Sequence, residues 1–457
     1  MVFGDSQSGD AKKPDYSLWQ STVQNAYKAN PDARFFLELG DAVEVGQSNA
    51  HWNNWFAADK GVIDSISYMP VEGNHECYDM NINKTEPTLY EGQFNLPHNG
   101  PYNNDEVYSY DYGNVHLVVL DSQLLEEYNF HPNLVNDEKA WLEKDLNQTG
   151  KDWKVVFWHK TPYSTKAYRT NEAIKDAFDS ILDKHHVDMV FNAHDHAYSR
   201  TYPINNDQIV GSPALGTVYV ITGRSGAKYY NDNVQKVWDA DFFDPQDMPN
   251  YIVVDVNGSK MEIKNYKMDG TLVDDYTIDK KIGDTPTTAV PPKYNKPRLV
   301  VNGALLNQPL MPTFPSQINS KWYFPIKPVV EFLGGSESVS GNNETLSLNV
   351  QNYVGTGIIW SDNKVHTLVL TNTSTKATLD KALIPLPDSV MVDSSKNFLI
   401  SADDMNTLFG FTWKYDSDKN ILFLISPDTN NLFTINFFLK KLYENFGPHD
   451  INLFKKW

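Results

Sequence analysis

Apolar residues over roughly the first 280 positions recur at two spacings, which predict alternating helices and strands. Residues 15–30 place an apolar side chain every three or four positions, the spacing of a helix with one buried face. The same spacing predicts helices over residues 137–146 and 171–185. Short apolar runs predict strands over residues 34–39, 68–72, 115–120, 155–158, 187–191 and 218–222.

The order of these elements indicates an architecture. Strands that alternate with helices favour an α/β fold built from packed layers. Residues 251–256 and 260–266 are strand-like segments on either side of Asn257-Gly258, which is a strong signal for a hairpin. Because α/β sheets bind ligands at the carboxyl ends of their strands, polar residues at those ends are the first candidates for a functional site.

The pattern changes at residues 283–297, which contain four prolines and no apolar period. This composition predicts a linker between a domain over residues 1–282 and a smaller α+β region over residues 298–457. In that region we predict a strand over 298–302, a helix over 329–333 and a strand over 345–350. Leu333-Gly334 and Leu346-Ser347-Leu348 match Phe409-Gly410 and Leu422-Phe423-Leu424 at one constant offset, which suggests a duplicated element.

Charge and cysteine content narrow the function classes. The 457 residues include 58 acidic and 39 basic side chains, for a net charge of −19. A field of this sign disfavours nucleic acid and anionic membrane surfaces as bulk partners. One cysteine excludes an internal disulfide, and no apolar run reaches the roughly 18 residues of a membrane span. The first strand-like segment starts at Met1, so we expect the natural chain to begin earlier, with a signal peptide.

Oxygen and imidazole donors follow five of the predicted strands. They stand in the strings Gly4-Asp5, Gly40-Asp41, Gly73-Asn74-His75-Glu76, His159 and His194-Asp195-His196. Two metal ions about 3.5–4 Å apart need one bridging carboxylate and further ligands around each ion. The strings therefore predict a two-metal hydrolytic site, in which the glycines let the backbone turn sharply after each strand.

The roles follow from the donor types. Asp41 is the expected bridge because a carboxylate has two oxygens, with Asp5 completing one ion and Asn74 the other through its amide oxygen. His159, His194 and His196 would supply neutral imidazole nitrogens. His75 is the expected general acid toward the leaving oxygen, and Asn74 and His75 are expected to bind the substrate. Glu76 is expected to orient one of the imidazoles.

Each string by itself has an ordinary structural interpretation. Gly-Asp is a common turn after a strand, a lone histidine is more often packed or on the surface, and Cys77 lacks a clear activating base. The combination of all five strings at strand ends is what predicts a metal site.

In this order the strings resemble the calcineurin-like metallophosphoesterase superfamily. Residues 194–201 (HDHAYSRT) and 158–163 (WHKTPY) are most similar to the purple acid phosphatases. The resemblance covers about residues 1–280. It implies a four-layer αββα sandwich of two mixed sheets, two metal ions (Fe, Mn or Zn), and cleavage of a small phosphate ester by a hydroxide held at the metals. An acid-phosphatase-like phosphomonoesterase is the leading hypothesis, and a phosphodiesterase or nucleotidase is the alternative.

Three positions depart from patterns found within the superfamily. Glu44 stands where that family has the tyrosine that colours the iron, so we predict a colourless enzyme. Gln7 stands where other members of the superfamily have a histidine, and its amide oxygen would suit a hard divalent ion. Arg169 falls where plant members have a histidine, and it is expected either to hold a phosphate oxygen or to be a surface arginine. These departures also keep open a surface binding protein with a vestigial metal site.

The C-terminal region resembles a different module. Residues 298–350, and less clearly 398–426, are similar to the copper amine oxidase N-terminal-like domain. The resemblance rests on the spacing of Asn302-Gly303, Tyr323-Phe324-Pro325 and Phe332-Leu333-Gly334. Despite that name, this region has no histidine or cysteine cluster that would bind copper. The resemblance implies attachment to a cell wall or surface, and hence a secreted or cell-surface protein.

Overall fold

The structure is a computed structural model. It describes residues 1–102, 106–166, 172–206, 208–231, 233–236, 238–281, 296–301, 304–306, 314–332, 336–340, 345–351, 365–417 and 420–425. The chain divides into two compact units. The first comprises Met1–Thr165, Thr170–Asn233 and Trp238–Val290, and the second Lys166–Arg169, Val234–Val237 and Pro291–Trp457. The predicted linker at 283–297 lies almost entirely outside the described residues, as do Arg169, Asn302-Gly303 and Leu333-Gly334.

The first unit alternates strands and helices. In chain order its elements are β1 (Val2–Phe3), α1 (Ser17–Ala29), β2 (Phe35–Glu38), α2 (Asn49–Ala58), β3 (Ser67–Pro70), α3 (Thr88–Glu91), β4 (Tyr108–Tyr112), β5 (Val115–Val119), α4 (Leu134–Gln148), β6 (Trp153–Lys160), α5 (Glu172–His185), β7 (Met189–Ala193), β8 (Tyr198–Thr201), β9 (Ile204–Asn205), β10 (Gln208–Ile209), a 3-10 turn (Pro213–Leu215), β11 (Val218–Thr222), β12 (Asp239–Phe243), β13 (Asn250–Asn257), β14 (Lys260–Lys267) and β15 (Leu272–Asp279).

These strands form two large mixed sheets and one short ribbon. The six-stranded sheet has the order β15-β14-β13-β1-β2-β3, with β1, β2 and β3 parallel. The seven-stranded sheet has the order β12-β8-β11-β7-β6-β5-β4, with β11, β7, β6 and β5 parallel. β9 and β10 pair separately. The predicted hairpin is confirmed, because β13 and β14 are antiparallel and Asn257 pairs with Lys260.

The two large sheets pack face to face. Leu37 and Ile252 from the six-stranded sheet share one buried cluster with Phe157, Phe191 and Val220 from the seven-stranded sheet. These residues alternate with outward-facing side chains, so one apolar face of each sheet is removed from water. Burial of this kind contributes about 25 cal/mol per Å² of apolar surface, which makes the shared face a main source of stability.

Helices cover the outer faces. Trp19 of α1 stacks on Trp55 of α2 with ring centroids 5.7 Å apart, and Phe3 of β1 meets Trp19 edge-on at 5.2 Å. On the other sheet, Trp158 of β6 packs against Phe178 of α5 at 5.7 Å. The layer order is therefore helices, sheet, sheet, helices, and the predicted four-layer α/β fold is confirmed.

The second unit is rich in β-strands. In chain order its elements are β16 (Arg298–Val301), β17 (Ala304–Leu306), β18 (Ser316–Ile318), β19 (Lys321–Pro325), α6 (Ile326–Phe332), β20 (Ser336–Ser340), β21 (Thr345–Gln351), β22 (Val365–Thr371), β23 (Lys376–Leu379), β24 (Ala382–Pro385), β25 (Met391–Val392), β26 (Phe398–Ser401), α7 (Ala402–Phe409), β27 (Thr412–Asp416) and β28 (Ile421–Ile425). They form sheets of four, four and five strands around one core, which includes Phe324, Val329, Ile400 and Leu422.

One order of elements occurs twice in the second unit. β19 is followed by α6, β20 and β21, and β26 is followed by α7, β27 and β28. Ser336 and Thr345 begin the strands of the first copy at the same offset from Thr412 and Ile421 in the second. In the part of the chain that the structure describes, no helix is both long and apolar enough to cross a membrane.

Candidate metal centre

The predicted donors lie at the carboxyl ends of neighbouring parallel strands. Asp5, Asp41 and Asn74 follow β1, β2 and β3, which are adjacent in the six-stranded sheet. His194 follows β7 in the other sheet, next to β6. β6 extends to Lys160, so His159 lies within the strand and not after it as predicted, at a register shift between Phe157 and Lys160.

The first ligand group consists of Asp41, His159 and His194. Each contributes one donor atom, and all three atoms lie within 4.8 Å of one another. The His159 Nε2 lies 3.3 Å from Asp41 Oδ1 and 3.0 Å from His194 Nδ1. Two imidazole nitrogens and a carboxylate oxygen at this spacing are the donors of a transition-metal site.

The second ligand group shares Asp41 with the first. Its other members are Asp5 and His196, and the His196 Nε2 lies 3.2 Å from Asp5 Oδ1. Because Asp41 belongs to both groups, its carboxylate stands where a bridge between two ions is needed. The fold thus brings Asp5, Asp41, His159, His194 and His196 together in two groups that share Asp41, and their roles as metal ligands stay a prediction.

Hydrogen bonds orient the imidazoles. The Nδ1 of His159 lies 2.7 Å from the carbonyl oxygen of Leu39, and the Nδ1 of His196 lies 2.9 Å from that of Lys228. A carbonyl oxygen only accepts, so we assign the N–H to Nδ1 in both rings. The lone pair on each Nε2 then faces the site, as a metal-binding histidine requires.

Buried acceptors without donors converge at the same place. Among the described residues, the amide oxygens of Asn74 and Gln7 and the Oδ1 of Asp5 have no hydrogen-bond partner and are shielded from solvent. The Nε2 of His196 also has no hydrogen-bond partner, because Nε2 carries a lone pair and the neighbouring Asp5 Oδ1 is an acceptor as well. Such a set is costly to bury unless a cation lies among the acceptors, so the residues fit two metal ions.

Four of these residues adopt a left-handed backbone. The φ angles are 53° at Asp5, 55° at Asp41, 74° at His194 and 59° at His196. This region is unfavourable for residues other than glycine, and such conformations cluster at functional sites. Asp195, between the two histidines, accepts hydrogen bonds from the Ser164 hydroxyl at 2.6 Å and the Thr165 N–H at 2.7 Å, which holds the segment in place.

The glycines have two different roles. Gly40 has φ +88°, as expected for a sharp turn. Gly4 and Gly73 do not have positive φ, so the prediction that all three glycines serve to turn the backbone is wrong for these two. A side chain at Gly73 would come within 2.1 Å of the Asp41 backbone nitrogen, and one at Gly4 within 2.4 Å of the Thr222 hydroxyl. The close packing of neighbouring loops therefore requires glycine at positions 4 and 73.

Two buried glutamates hold the loops in register. Glu76 accepts the N–H groups of Asp41 and Gly73, both at 2.8 Å, so the expectation that it orients an imidazole is wrong. Glu38, which the sequence analysis did not single out, accepts the N–H and hydroxyl of Ser6 through Oε1 and the N–H of Gly40 through Oε2. Burial raises the pKa of the Glu38 carboxyl well above its usual range.

The two substituted positions have different neighbours. The Nε2 of Gln7 donates to Asp41 Oδ2 at 3.2 Å, and its buried amide oxygen has no hydrogen-bond partner. Glu44 accepts the Gly9 N–H at 3.0 Å and pairs with Lys228, whose Nζ lies 3.3 Å from Glu44 Oε1. Gln7 therefore contacts Asp41 and its role as a metal ligand stays a prediction, whereas Glu44 lies in an ion pair.

Lys228 is the functional candidate that the sequence analysis missed. Its Nζ lies 2.9 Å from the Nε2 of His75, and the Nδ1 of His75 lies 2.7 Å from the carbonyl oxygen of Glu44. Lys228 stands outside every motif, and only the fold brings it to the site. Arg169, the other predicted cation, lies outside the described residues.

Comparison with known proteins is consistent with this geometry. Residues 1–198 match the family model described as calcineurin-like phosphoesterase. This part of the chain is therefore similar to the calcineurin-like phosphoesterases. The domain is similar to Purple acid phosphatase 15 of Arabidopsis thaliana, at 30% identity over 38% of this chain and 32% of that protein. It is also similar to Acid phosphatase type 7 of Mus musculus, at 27% identity over 50% of this chain and 54% of that protein.

A solved structure shares the fold. The purple acid phosphatase from yellow lupin (Lupinus luteus) seeds superposes with a TM-score of 0.50 at 18% identity, over 61% of this chain and 53% of that one. The chain spans a third to about half of the length of these curated relatives. The similarity to the metallophosphoesterases and purple acid phosphatases predicted for the first region is confirmed, while the similarity of the C-terminal region to a copper amine oxidase module stays a prediction.

Proposed function

We propose that this protein is a dinuclear metal-dependent phosphoesterase that prefers small phosphomonoesters. The observation that carries the proposal is the position of Asp41 in two ligand groups at once. Asp5, Gln7 and His196 would complete one ion, and Asn74, His159 and His194 the other. Two ions, of Fe, Mn or Zn, supply Lewis acidity at the phosphoryl group and a strong nucleophile from water when bound.

His75 would act as the general acid. It is partly exposed, with 12% of its side chain accessible, and its Nε2 lies 3.9 Å from Asp41 Oδ2. With Nδ1–H donated to the Glu44 carbonyl oxygen, the Nε2 is the atom left to carry a proton to the leaving oxygen. In the structure this nitrogen accepts a hydrogen bond from the Lys228 ammonium, so Nε2 must exchange that bond for a proton before His75 acts as the acid.

Lys228 supports a preference for monoesters. A monoester carries up to two negative charges and a diester one, so a cation beside the phosphate favours the monoester electrostatically. The chain has a net charge of −19, and a local cation is needed to attract an anionic substrate.

The test combines metal analysis with a panel of esters. We expect about two metal ions per chain and a higher kcat/KM for phosphomonoesters than for diesters. Preference for diesters would favour the phosphodiesterase or nucleotidase alternative. Fewer than about one ion per chain, together with no hydrolysis, would favour a surface binding protein with a vestigial site.

The role of His75 has its own test. His75→Ala should lower kcat by about 10²–10⁴-fold on a substrate with a poor leaving group, the usual contribution of a general acid. His98→Ala, at an exposed histidine, is the matched control and should leave kcat unchanged. An unchanged kcat in His75→Ala would contradict the assignment.

Secretion and surface attachment through residues 298–457 belong to the same proposal. They rest on the resemblance of this region to a module found on bacterial surfaces. Fractionation of the producing cells checks them: we expect the protein in the wall or medium fraction, and its confinement to the cytosol would contradict them.

A further inference from the structure

A second group of potential ligands lies apart from the residues assigned to the dinuclear site. Glu72, Glu106, Asp121 and Glu127 each contribute one oxygen to a set in which all four oxygens lie within 4.8 Å of one another. All four side chains are buried. They lie in three separate segments of the chain, after β3, before β4 and after β5.

Further buried acceptors of this cluster lack donors. In the described part of the chain, Glu72 Oε2, Asp121 Oδ2 and Glu127 Oε2 have no hydrogen-bond partner. The Nε2 of His131 is also buried without one, and a ring nitrogen of His131 lies within 4.8 Å of oxygens of Glu106 and Glu127. Carboxylate oxygens and an imidazole nitrogen therefore lie close together in the buried interior.

The hydrogen-bond donors that reach the cluster bond to other oxygens and leave these acceptors without a partner. The Cys77 thiol donates to Glu72 Oε1 at 2.8 Å, and the Gln123 N–H donates to Asp121 Oδ1 at 2.8 Å. Lys160, whose charge acts on Asp121, is already paired with Glu126 at 2.5 Å. The cluster thus has excess negative charge that these contacts do not balance.

Burial makes this charge costly. It raises the pKa of Asp121 to about 7 and that of Glu127 to about 9, and the charge of Asp121 contributes to the raised pKa of Glu127. Carboxylates in this position are relieved either by protons or by a bound cation. Shared protons would let one carboxyl group donate to another or to His131, whereas a cation would be coordinated by several of these acceptors at once.

We propose that Glu72, Glu106, Asp121 and Glu127 bind a further divalent cation of the hard type, Ca²⁺ or Mn²⁺, with His131 as an additional donor. Oxygen-rich sites select hard cations, and an imidazole donor shifts the choice toward Mn²⁺. Cys77 does not make the site a soft one, because burial raises the pKa of its thiol and keeps it protonated as a donor to Glu72.

The cation would stabilise the loop that borders the dinuclear site. Glu72 lies two residues before Asn74, and Glu127 lies beside Glu126, which accepts a hydrogen bond from the Tyr78 hydroxyl at 3.2 Å. Tyr78 in turn packs edge-on against His75 at 5.5 Å. The cation would thereby connect the segment after β5 to the one that carries the dinuclear ligands.

Ion counting on the full-length protein tests the proposal. The protein is dialysed against CaCl₂ or MnCl₂, freed of excess salt and measured by mass spectrometry for ions per chain. We expect about one ion more than the dinuclear pair in one of the two arms, and a loss of that ion in the Asp121→Asn/Glu127→Gln double variant. Glu86→Gln is the control, because Glu86 is exposed and its charge acts on Glu127.

A second readout separates cation binding from shared protons. Asn and Gln resemble protonated carboxyl groups, so the double variant should fold in either case. Under the proposal, added Ca²⁺ or Mn²⁺ raises the Tm of the wild type and of Glu86→Gln but not that of the double variant. The same ion count in the double variant and the wild type, or the same Tm response, would overturn the proposal. Phosphoesterase activity is scored separately, so its absence would not be mistaken for loss of this ion.

Discussion

Removal of the Lys228 charge is the most direct test of how the site selects its substrate. Lys228→Met keeps much of the side-chain stem and removes the ammonium group that lies 2.9 Å from His75 Nε2 and 3.3 Å from Glu44 Oε1. The substitution leaves every proposed metal ligand in place. It therefore changes the electrostatics of substrate binding without removing an ion.

The expected magnitude follows from Coulomb's law. Nζ lies 2.9 Å from His75 Nε2, so a phosphoryl oxygen at hydrogen-bond distance from that nitrogen is within about 5.7 Å of Nζ. One pair of unit charges at this distance contributes about 0.7 kcal/mol in a water-like dielectric and about 3 kcal/mol at an effective dielectric of 20. A doubly charged monoester loses about twice as much as a singly charged diester.

We therefore expect Lys228→Met to lower kcat/KM by at least about 10-fold for a monoester and about 3-fold for a diester. The assay compares 4-nitrophenyl phosphate with bis(4-nitrophenyl) phosphate at constant ionic strength. Lys228→Arg should retain most of the selectivity because it keeps the charge. Lys60→Met, at an exposed lysine, controls for the change in net charge. Equal losses for both substrates would refute the electrostatic reasoning.

Three further predictions concern stability and colour. Glu38→Ala should destabilise the fold by about 1–3 kcal/mol in urea unfolding, since it leaves buried N–H groups without an acceptor, and Glu38→Gln should cost less; wild-type stability in Glu38→Ala would contradict this. Burial lowers the pKa of His116, but its hydrogen bonds to Asp145 and Asp111 outweigh burial and the net pKa is raised. Protonated His116 should thus contribute up to about 1 kcal/mol to the free energy of unfolding below about pH 6.5, and this contribution is lost as the pH rises through the raised pKa. The difference in Tm between the wild type and His116→Gln should therefore shrink from pH 6 to pH 9, and a growing difference would contradict the assignment. Iron-loaded protein should show no tyrosine-dependent visible band because Glu44 stands in place of the tyrosine, and a band abolished by a Tyr→Phe substitution would contradict this.

The order of the motifs at the strand ends was predictable because the local sequence pattern and the arrangement of the strands in the sheet agree at these positions. β1, β2 and β3 are short apolar runs followed at once by polar residues, and parallel strands place those residues at one edge. The convergence of Asp5 and Asp41 with the histidines of the second sheet then follows from the packing of the two sheets. Here the sequence pattern and the fold carry the same information.

Other functional residues carry no local signal. Glu38 lies in the run Phe35–Glu38 and reads as one polar residue in a strand, yet it connects two loops through Ser6 and Gly40. Lys228 reaches His75 across the fold from a loop without a motif. Such contacts depend on which loops meet in three dimensions, and neither apolar periodicity nor motif spacing encodes that.

Helix α2 was missed for a related reason. Its sequence, NAHWNNWFAA, has few aliphatic residues, and only the spacing of Trp52 and Trp55 hints at a buried face. Its burial comes from aromatic contacts with elements distant in sequence, such as the stack of Trp55 on Trp19. Tertiary packing therefore stabilises a helix that a weak local pattern does not predict.

The Glu44 and Gln7 side chains, predicted to depart from the pattern of related phosphatases, both contact residues of the candidate site. The Glu44 carboxylate pairs with the Lys228 ammonium, which also donates a hydrogen bond to the Nε2 of His75. The backbone carbonyl oxygen of Lys228 accepts the Nδ1–H of His196. The Glu44 carboxylate thus lies where it can position Lys228 beside the proposed general acid. Gln7 donates to Asp41 through its amide nitrogen, and its buried amide oxygen has no hydrogen-bond partner. We infer that Glu44 serves to place a substrate-binding cation and not to bind a metal ion.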